Sequence, residues 1–211
     1  MEDDSRPSVF LVYAEDIQLS EGVPTDAMSS GNCVGKLAFG HYGSEVHQAL
    51  APELAPRLFG VSSKPEIGAS LYIMEYLTPL TCDREGWVTL SNLDPIFIGI
   101  EHKDICSALD VIVERLRSLK FVHGDLRPNN LMIKMTSFFQ VAKPVVIKVI
   151  DFEWANVNNK GRYPLLQNSN INYPGTPGGL IEANHDADMV SKCKDDIDKI
   201  VKGYMKKGTV V

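Results

Sequence analysis

Apolar and polar positions along the chain switch between two periods, and the switches mark out its elements. Val9-Phe10-Leu11-Val12-Tyr13 is a β-branched and aromatic run that predicts a strand. Cys33–Phe39 predicts a second strand, carrying Lys36, and Ala55–Val61 and Ala69–Leu77 predict two more, separated by a Lys-Pro-Glu-Ile-Gly turn. From Glu101 to Leu119 the period changes to that of a helix: Ile105, Leu109, Ile112, Val113 and Leu116 share one face, which predicts burial of that face. Val145–Ile150 reads as a buried strand. Met189, Val190, Cys193, Ile197, Ile200, Val201 and Tyr204 then make a last amphipathic helix, capped near Asn184. Residues 1–7 read as a frayed polar start, residues 15–32 as a Gly-, Ser-, Pro- and Asp-rich loop, and residues 79–100 as irregular. Residues 156–179, rich in Asn, Pro and Gly, show no periodicity.

Composition narrows the class without choosing a function. A chain of 211 residues with 44% hydrophobic content can bury a core, as one compact unit or two small lobes. A net charge of −6 offers no electrostatic case for nucleic acid or an anionic membrane, but leaves room for ATP, which needs only a local positive cluster. Cys33, Cys82, Cys106 and Cys193 are scattered, with neither zinc-ligand spacing nor a disulfide framework. Val9–Tyr13 is too short for a signal core or a membrane span, so an intracellular, cytoplasmic setting is the expectation.

The chemistry concentrates in Val122-His123-Gly124-Asp125-Leu126-Arg127-Pro128-Asn129-Asn130 and, beyond the Val145–Ile150 strand, Asp151-Phe152-Glu153. An Asp, an Asn five residues later and a second Asp closing a strand form the phosphotransferase arrangement: the first orients or deprotonates a hydroxyl, and the other two hold Mg²⁺ against ATP phosphates. Mg²⁺ suits such a sparse set, since it takes oxygen ligands and few protein groups.

Residues 34–155 resemble the protein-kinase-like superfamily on its aminoglycoside phosphotransferase and choline kinase side. His123–Asn130 is similar to the antibiotic kinases' loop, and Ile150–Ala155 to choline kinase's metal motif. With Tyr163-Pro164 and His185-Asp186 added, the pattern is most similar to the uncharacterised kinase-like proteins abundant in mushroom-forming fungi. The resemblance implies an α+β, bilobal protein-kinase-like fold over residues 1–211. It would have a truncated β-rich N-lobe (1–77), a short helical C-lobe (78–211) and a nucleotide cleft between them. It also implies roles: Asp125 as base, Arg127 near the γ-phosphate, and Asn130 and Asp151 as metal ligands. Lys36 would contact the α- and β-phosphates with Glu45 orienting it from a short helix capped by Ser44. Glu75 and Leu77 would form a hinge against adenine, with Met74 at the back. His123 would support the loop backbone.

The departures from that family bear on function. No Gly-x-Gly-x-x-Gly lies between the first two strands, and one long helix follows Asp151 where full kinases have several. Gly124 stands where regulated protein kinases carry an Arg, and Glu153 where they carry a Gly, which argues against regulation by loop phosphorylation. Two expectations follow. One is an ATP- and Mg²⁺-dependent phosphotransferase acting on a hydroxyl of a protein or small molecule. The other is a catalytically inactive pseudokinase serving as a nucleotide-binding or scaffold module.

Overall fold

Four antiparallel strands form the first sheet, and their register puts Lys36 at its centre. The structure, a computed structural model, describes residues 9–13, 32–64, 66, 68–81, 85–136, 140–141 and 144–206. The expectations for residues 1–7 and for almost all of 15–32 lie outside them. Strands β1 (Val9–Tyr13), β2 (Asn32–Phe39), β3 (Leu58–Lys64) and β4 (Ala69–Glu75) assemble in the order β1-β2-β4-β3. Lys36 is opposite Val9 on one side and Tyr72 on the other. The third strand starts later than its apolar run because Pro56 has no N–H to give a ladder. The Pro56 carbonyl instead meets His47 Nε2 at 2.7 Å, and the Arg57 N–H donates to Glu75 Oε2 at 3.0 Å.

Helix α1 (Ser44–Leu50) crosses behind this sheet and buries Val46, His47 and Leu50. Ser44 is its first residue rather than its cap: the capping position is Gly43, which makes no side-chain cap bond. Gly43 is needed for close approach, since its N–H donates to the Phe152 carbonyl at 2.8 Å and a Cβ there would lie 2.4 Å from the Ala155 carbonyl oxygen.

The described residues between 79 and 100 are more regular than their composition suggests. They hold β5 (Gly86–Thr89), a 3₁₀ turn over Leu90–Asn92 and the start of α2 (Pro95–Ser118). The helix begins six residues earlier than its periodicity shows because Pro95 takes the first helical position, where a missing N–H costs nothing. Its expected face is buried throughout: Ile105, Leu109, Ile112, Val113 and Leu116.

After β6 (Phe121–Val122) the chain forms β7 (Leu131–Thr136), β8 (Gln140–Val141) and β9 (Ile147–Val149). Strand β7 pairs antiparallel with β5, β8 and β9, and β10 (Asn156–Val157) pairs antiparallel with β6. Helix α3 (Ala183–Lys206) closes the described chain and packs on α2. Asn184 lies within its first turn; the N–H of Ala183 is satisfied by Asn158 Oδ1 at 3.0 Å. The architecture is therefore α+β, with antiparallel sheets and three α-helices among the described residues. Among the described residues the largest of three buried apolar clusters runs from Val46 and Leu50 through Tyr72, Met74 and Phe152 to Ile105, Ile133 and Ile197, with smaller ones around Cys33 and Ile73 and around Val122, Tyr163 and Ile181. No helix among the described residues is long and apolar enough to cross a membrane.

Candidate active site

The 123–130 segment is held in shape by its own hydrogen bonds. The Arg127 N–H donates to the Asp125 carbonyl at 2.9 Å and the Asn130 N–H to the Arg127 carbonyl at 2.8 Å, closing a 3₁₀ turn over Pro128–Asn130. Asn130 Nδ2 donates to the Asp125 carbonyl at 3.0 Å and to Asp125 Oδ2 at 2.8 Å. Arg127 Nε donates to the same Oδ2 at 3.0 Å. Asp125 Oδ1 is buried without a hydrogen-bond partner. Burial pushes the Asp125 carboxyl up to about 6; the Arg127 guanidinium opposes this and the Asp151 charge adds to it. Tyr173 has its phenol pushed up to about 12, by burial first and then by the charge of Asp125.

Two buried side chains fix where this loop sits. Asp186, in the first turn of α3, accepts the His123 N–H at 2.7 Å and the Gly124 N–H at 2.8 Å. His123 places Nε2 3.2 Å from the Ile150 carbonyl and accepts the Asp125 N–H on Nδ1 at 3.3 Å. Burial lowers its pKa to about 4, so the ring is neutral, as that pair of bonds requires. His123 thus supports the backbone, as expected. Gly124 has φ +81, and a Cβ there would come within 3.0 Å of the Ile181 side chain. Any residue with a Cβ would be strained at this position.

Asp151 lies just past β9 with φ +70, a left-handed conformation uncommon for a non-glycine residue. Its Oδ1 accepts from Lys36 Nζ at 2.5 Å, joining residues 115 positions apart. Glu153 Oε1 lies 2.9 Å from the same ammonium, an ion pair by distance that lacks an aligned hydrogen bond. Here the expected pairing is corrected. Glu45 is exposed on α1, whose buried face is Val46, His47 and Leu50, so the partners of Lys36 are Asp151 and Glu153. A double-mutant cycle followed by urea unfolding is expected to give a coupling of at least ~0.5 kcal/mol between Lys36 and Glu153 and none between Lys36 and Glu45. Equal couplings would return Glu45 to the site.

Lys36, Asn130 and Asp151 line one cavity of about 310 Å³, together with Val34, Met74 and Met132. Glu75 and Leu77 lie on the same wall, at the end of β4 and just beyond it. The Glu75 carboxylate is engaged, with Oε2 accepting from Lys148 Nζ at 2.7 Å and from the Arg57 N–H at 3.0 Å, and the Glu75 N–H donates to the Arg57 carbonyl at 2.8 Å. His47 forms part of the wall, stacked on Phe152 with ring centres 4.4 Å apart, and burial lowers its pKa to about 4.

The site therefore brings together Lys36, Asp125, Arg127, Asn130 and Asp151, with Glu75 and Leu77 at its far wall, and leaves out Glu45. Sequence reasoning missed Glu153 as a lysine partner and Asp186 as the loop's anchor. The only signal for Asp186 was its place beside His185 in the family resemblance. No protein-family model matches this chain, and no curated protein matches it.

Proposed function

We propose that this chain is an ATP- and Mg²⁺-dependent phosphotransferase with a bilobal, protein-kinase-like arrangement, moving the γ-phosphate to a hydroxyl of a protein or small molecule. One observation carries the proposal. A single apolar-walled cavity collects Lys36, Asn130 and Asp151 from three distant segments, and Asn130 is hydrogen-bonded to a buried carboxylate, Asp125. Adenine would lie against Val34, Met74 and Leu77, with the phosphates toward Lys36. Asp125 suits a general base because its pKa, raised to about 6, lies near neutral pH. Arg127, bonded to that base, would meet the transferring phosphate.

The donor set fits Mg²⁺. The Asn130 amide nitrogen is committed to Asp125, which makes its carbonyl oxygen the end suited to a cation, and Asp151 adds a carboxylate on the same cavity. Among the described residues no group of three or more His, Cys, Asp or Glu is arranged to hold a metal, so the nucleotide's own phosphates would complete the shell. When bound, the metal would neutralise phosphate charge and orient the γ-phosphoryl group. Free thiols at Cys33, Cys106 and Cys193 fit a reducing, cytoplasmic setting.

The test is a melting curve with ATP, with Mg²⁺ or with EDTA. Ligand at a hundred times its Kd stabilises the native state by about 2.7 kcal/mol, so a clear Mg²⁺-dependent shift is expected. Asp151→Asn should abolish the Mg²⁺-dependent part. An undiminished shift in that variant would remove Asp151 from the metal site. The pseudokinase reading draws on one observation, the neutralisation of Lys36 by two carboxylates, and is separated from catalysis by the Asp125 variant discussed below.

A further inference from the structure

Asp125 lines neither of two cavities but is bonded to a lining residue of each. Its Oδ2 is bonded to Asn130, on the wall of the nucleotide cavity, and to Arg127, on the wall of a second cavity of about 460 Å³. That second cavity lies between the catalytic loop, the 168–172 segment and α3. Its rim carries four asparagines, Asn129, Asn168, Asn170 and Asn172. Asn168 Oδ1 accepts the Asn170 N–H at 3.0 Å, and Lys192 Nζ donates to the Asn172 carbonyl at 2.7 Å, so the wall has a fixed shape.

We propose that this second cavity is the acceptor subsite and that it takes a neutral, polyhydroxylated small molecule. The proposal rests on the phosphotransferase reading and names the acceptor class for it. A primary amide presents donors and an acceptor side by side, which matches neighbouring hydroxyls that each donate and accept. Two of the cavity's charged groups are already ion-paired, Arg127 with Asp125 and Asp196 with Lys199 at 2.7 Å, while Lys192 donates to the neutral Asn172 carbonyl. A polycationic acceptor would find no uncommitted carboxylate on this lining, whereas a hydroxyl can accept from the Lys192 ammonium. Ile171, Met189 and Cys193 add an apolar part suited to the C–H face of a ring. The volume falls within the range of small-ligand sites.

In the step itself, the acceptor hydroxyl oxygen forms a bond to the γ-phosphorus of ATP. The bond from that phosphorus to the β,γ-bridging oxygen breaks, and its electron pair leaves on ADP. The hydroxyl proton passes to the Asp125 carboxylate.

Binding of mannitol, glucose and myo-inositol to the full chain, read by saturation-transfer NMR and calorimetry without nucleotide, tests the idea apart from turnover. Glucosamine, glucose 6-phosphate and a serine-containing peptide are the contrasts. At least one neutral polyol is expected to bind and to lose at least ~10-fold in affinity in Asn170→Ala/Asn172→Ala, as removal of paired hydrogen-bonding groups implies. Both positions are exposed, so the variant should fold as the wild type does. A non-hydrolysable ATP analogue with Mg²⁺ should not displace the polyol. Binding by none of the three, binding unchanged in the variant, or displacement by the analogue overturns the proposal. Phosphorylation of the peptide without polyol binding also overturns it while leaving the phosphotransferase standing. A polyol held by the asparagine wall but never phosphorylated overturns the acceptor role, and the phosphotransferase reading then stands or falls with the Asp125→Asn comparison alone.

Discussion

Asp186→Ala is expected to destabilise the protein by about 2–5 kcal/mol, because it orphans two buried backbone donors at roughly 1–3 kcal/mol each. The carboxylate is 2% exposed, and its two oxygens accept separately from the His123 and Gly124 N–H groups. Its place in the first turn of α3 favours negative charge, since unpaired N–H groups of a helix point there. Burial nevertheless raises its pKa to about 6, outweighing those two hydrogen bonds. Because the folded value lies above the ordinary 3.8, this group's proton-linked stability is full below about 3.8 and is lost as pH rises through about 6. Asp186→Asn should be less harmful than alanine, as one carbonyl oxygen can still serve one donor. Urea midpoints measure both variants. An alanine variant within ~0.5 kcal/mol of wild type would show that the loop does not depend on this anchor.

Why Asp186 and Glu153 escaped a sequence reading, when Asp125 and Asn130 did not, follows from chain separation. Asp125, Arg127 and Asn130 meet within one turn, so their spacing alone brings them together. The helical face of α2 was legible for the same reason: period 3.6 is a local property, and every expected position on it is buried. Strand β7 carries a local signal too, with Leu131, Ile133 and Met135 buried in alternation, but it directly follows the site residues and was passed over. A helix following the lysine strand suggests Glu45 as the partner of Lys36. The outward direction of residue 45 is set by which face of α1 meets the core, and that depends on Phe152, over a hundred residues away. Glu153 reaches Lys36 only because Asp151 adopts a positive φ at the end of β9, which no periodicity announces. Strand order, similarly, is set by packing between elements rather than within them.

Asp125→Asn is expected to bind ATP and Mg²⁺ with near-native affinity while losing at least ~100-fold in phosphoryl transfer or slow ATP hydrolysis, the lower range of general-base contributions. Lys36, Asn130 and Asp151 line the cavity proposed for the nucleotide and Asp125 does not, so the substitution leaves that wall intact. An asparagine can keep an oxygen toward Arg127 Nε and Asn130 Nδ2 and turn its amide nitrogen to the side where Oδ1 now has no partner. Folding should not suffer. The folded pKa of Asp125, about 6, exceeds its ordinary 3.8, so its proton-linked stability is present below about 3.8 and lost as pH rises through 6. Above pH 6 the neutral amide should therefore match or exceed the stability of the charged wild type. Activity runs the other way with pH. A base works only when deprotonated, so wild-type kcat/KM should rise through an acid limb with a midpoint near 6, and that limb should vanish in the variant. Single-turnover release or transfer of the γ-phosphate, measured from pH 5 to 8 under constant Mg²⁺, gives both readings. If the wild type binds ATP but releases phosphate no faster than Asp125→Asn or buffer, with every acceptor offered, the cleft holds a nucleotide without turning it over and the pseudokinase reading takes its place.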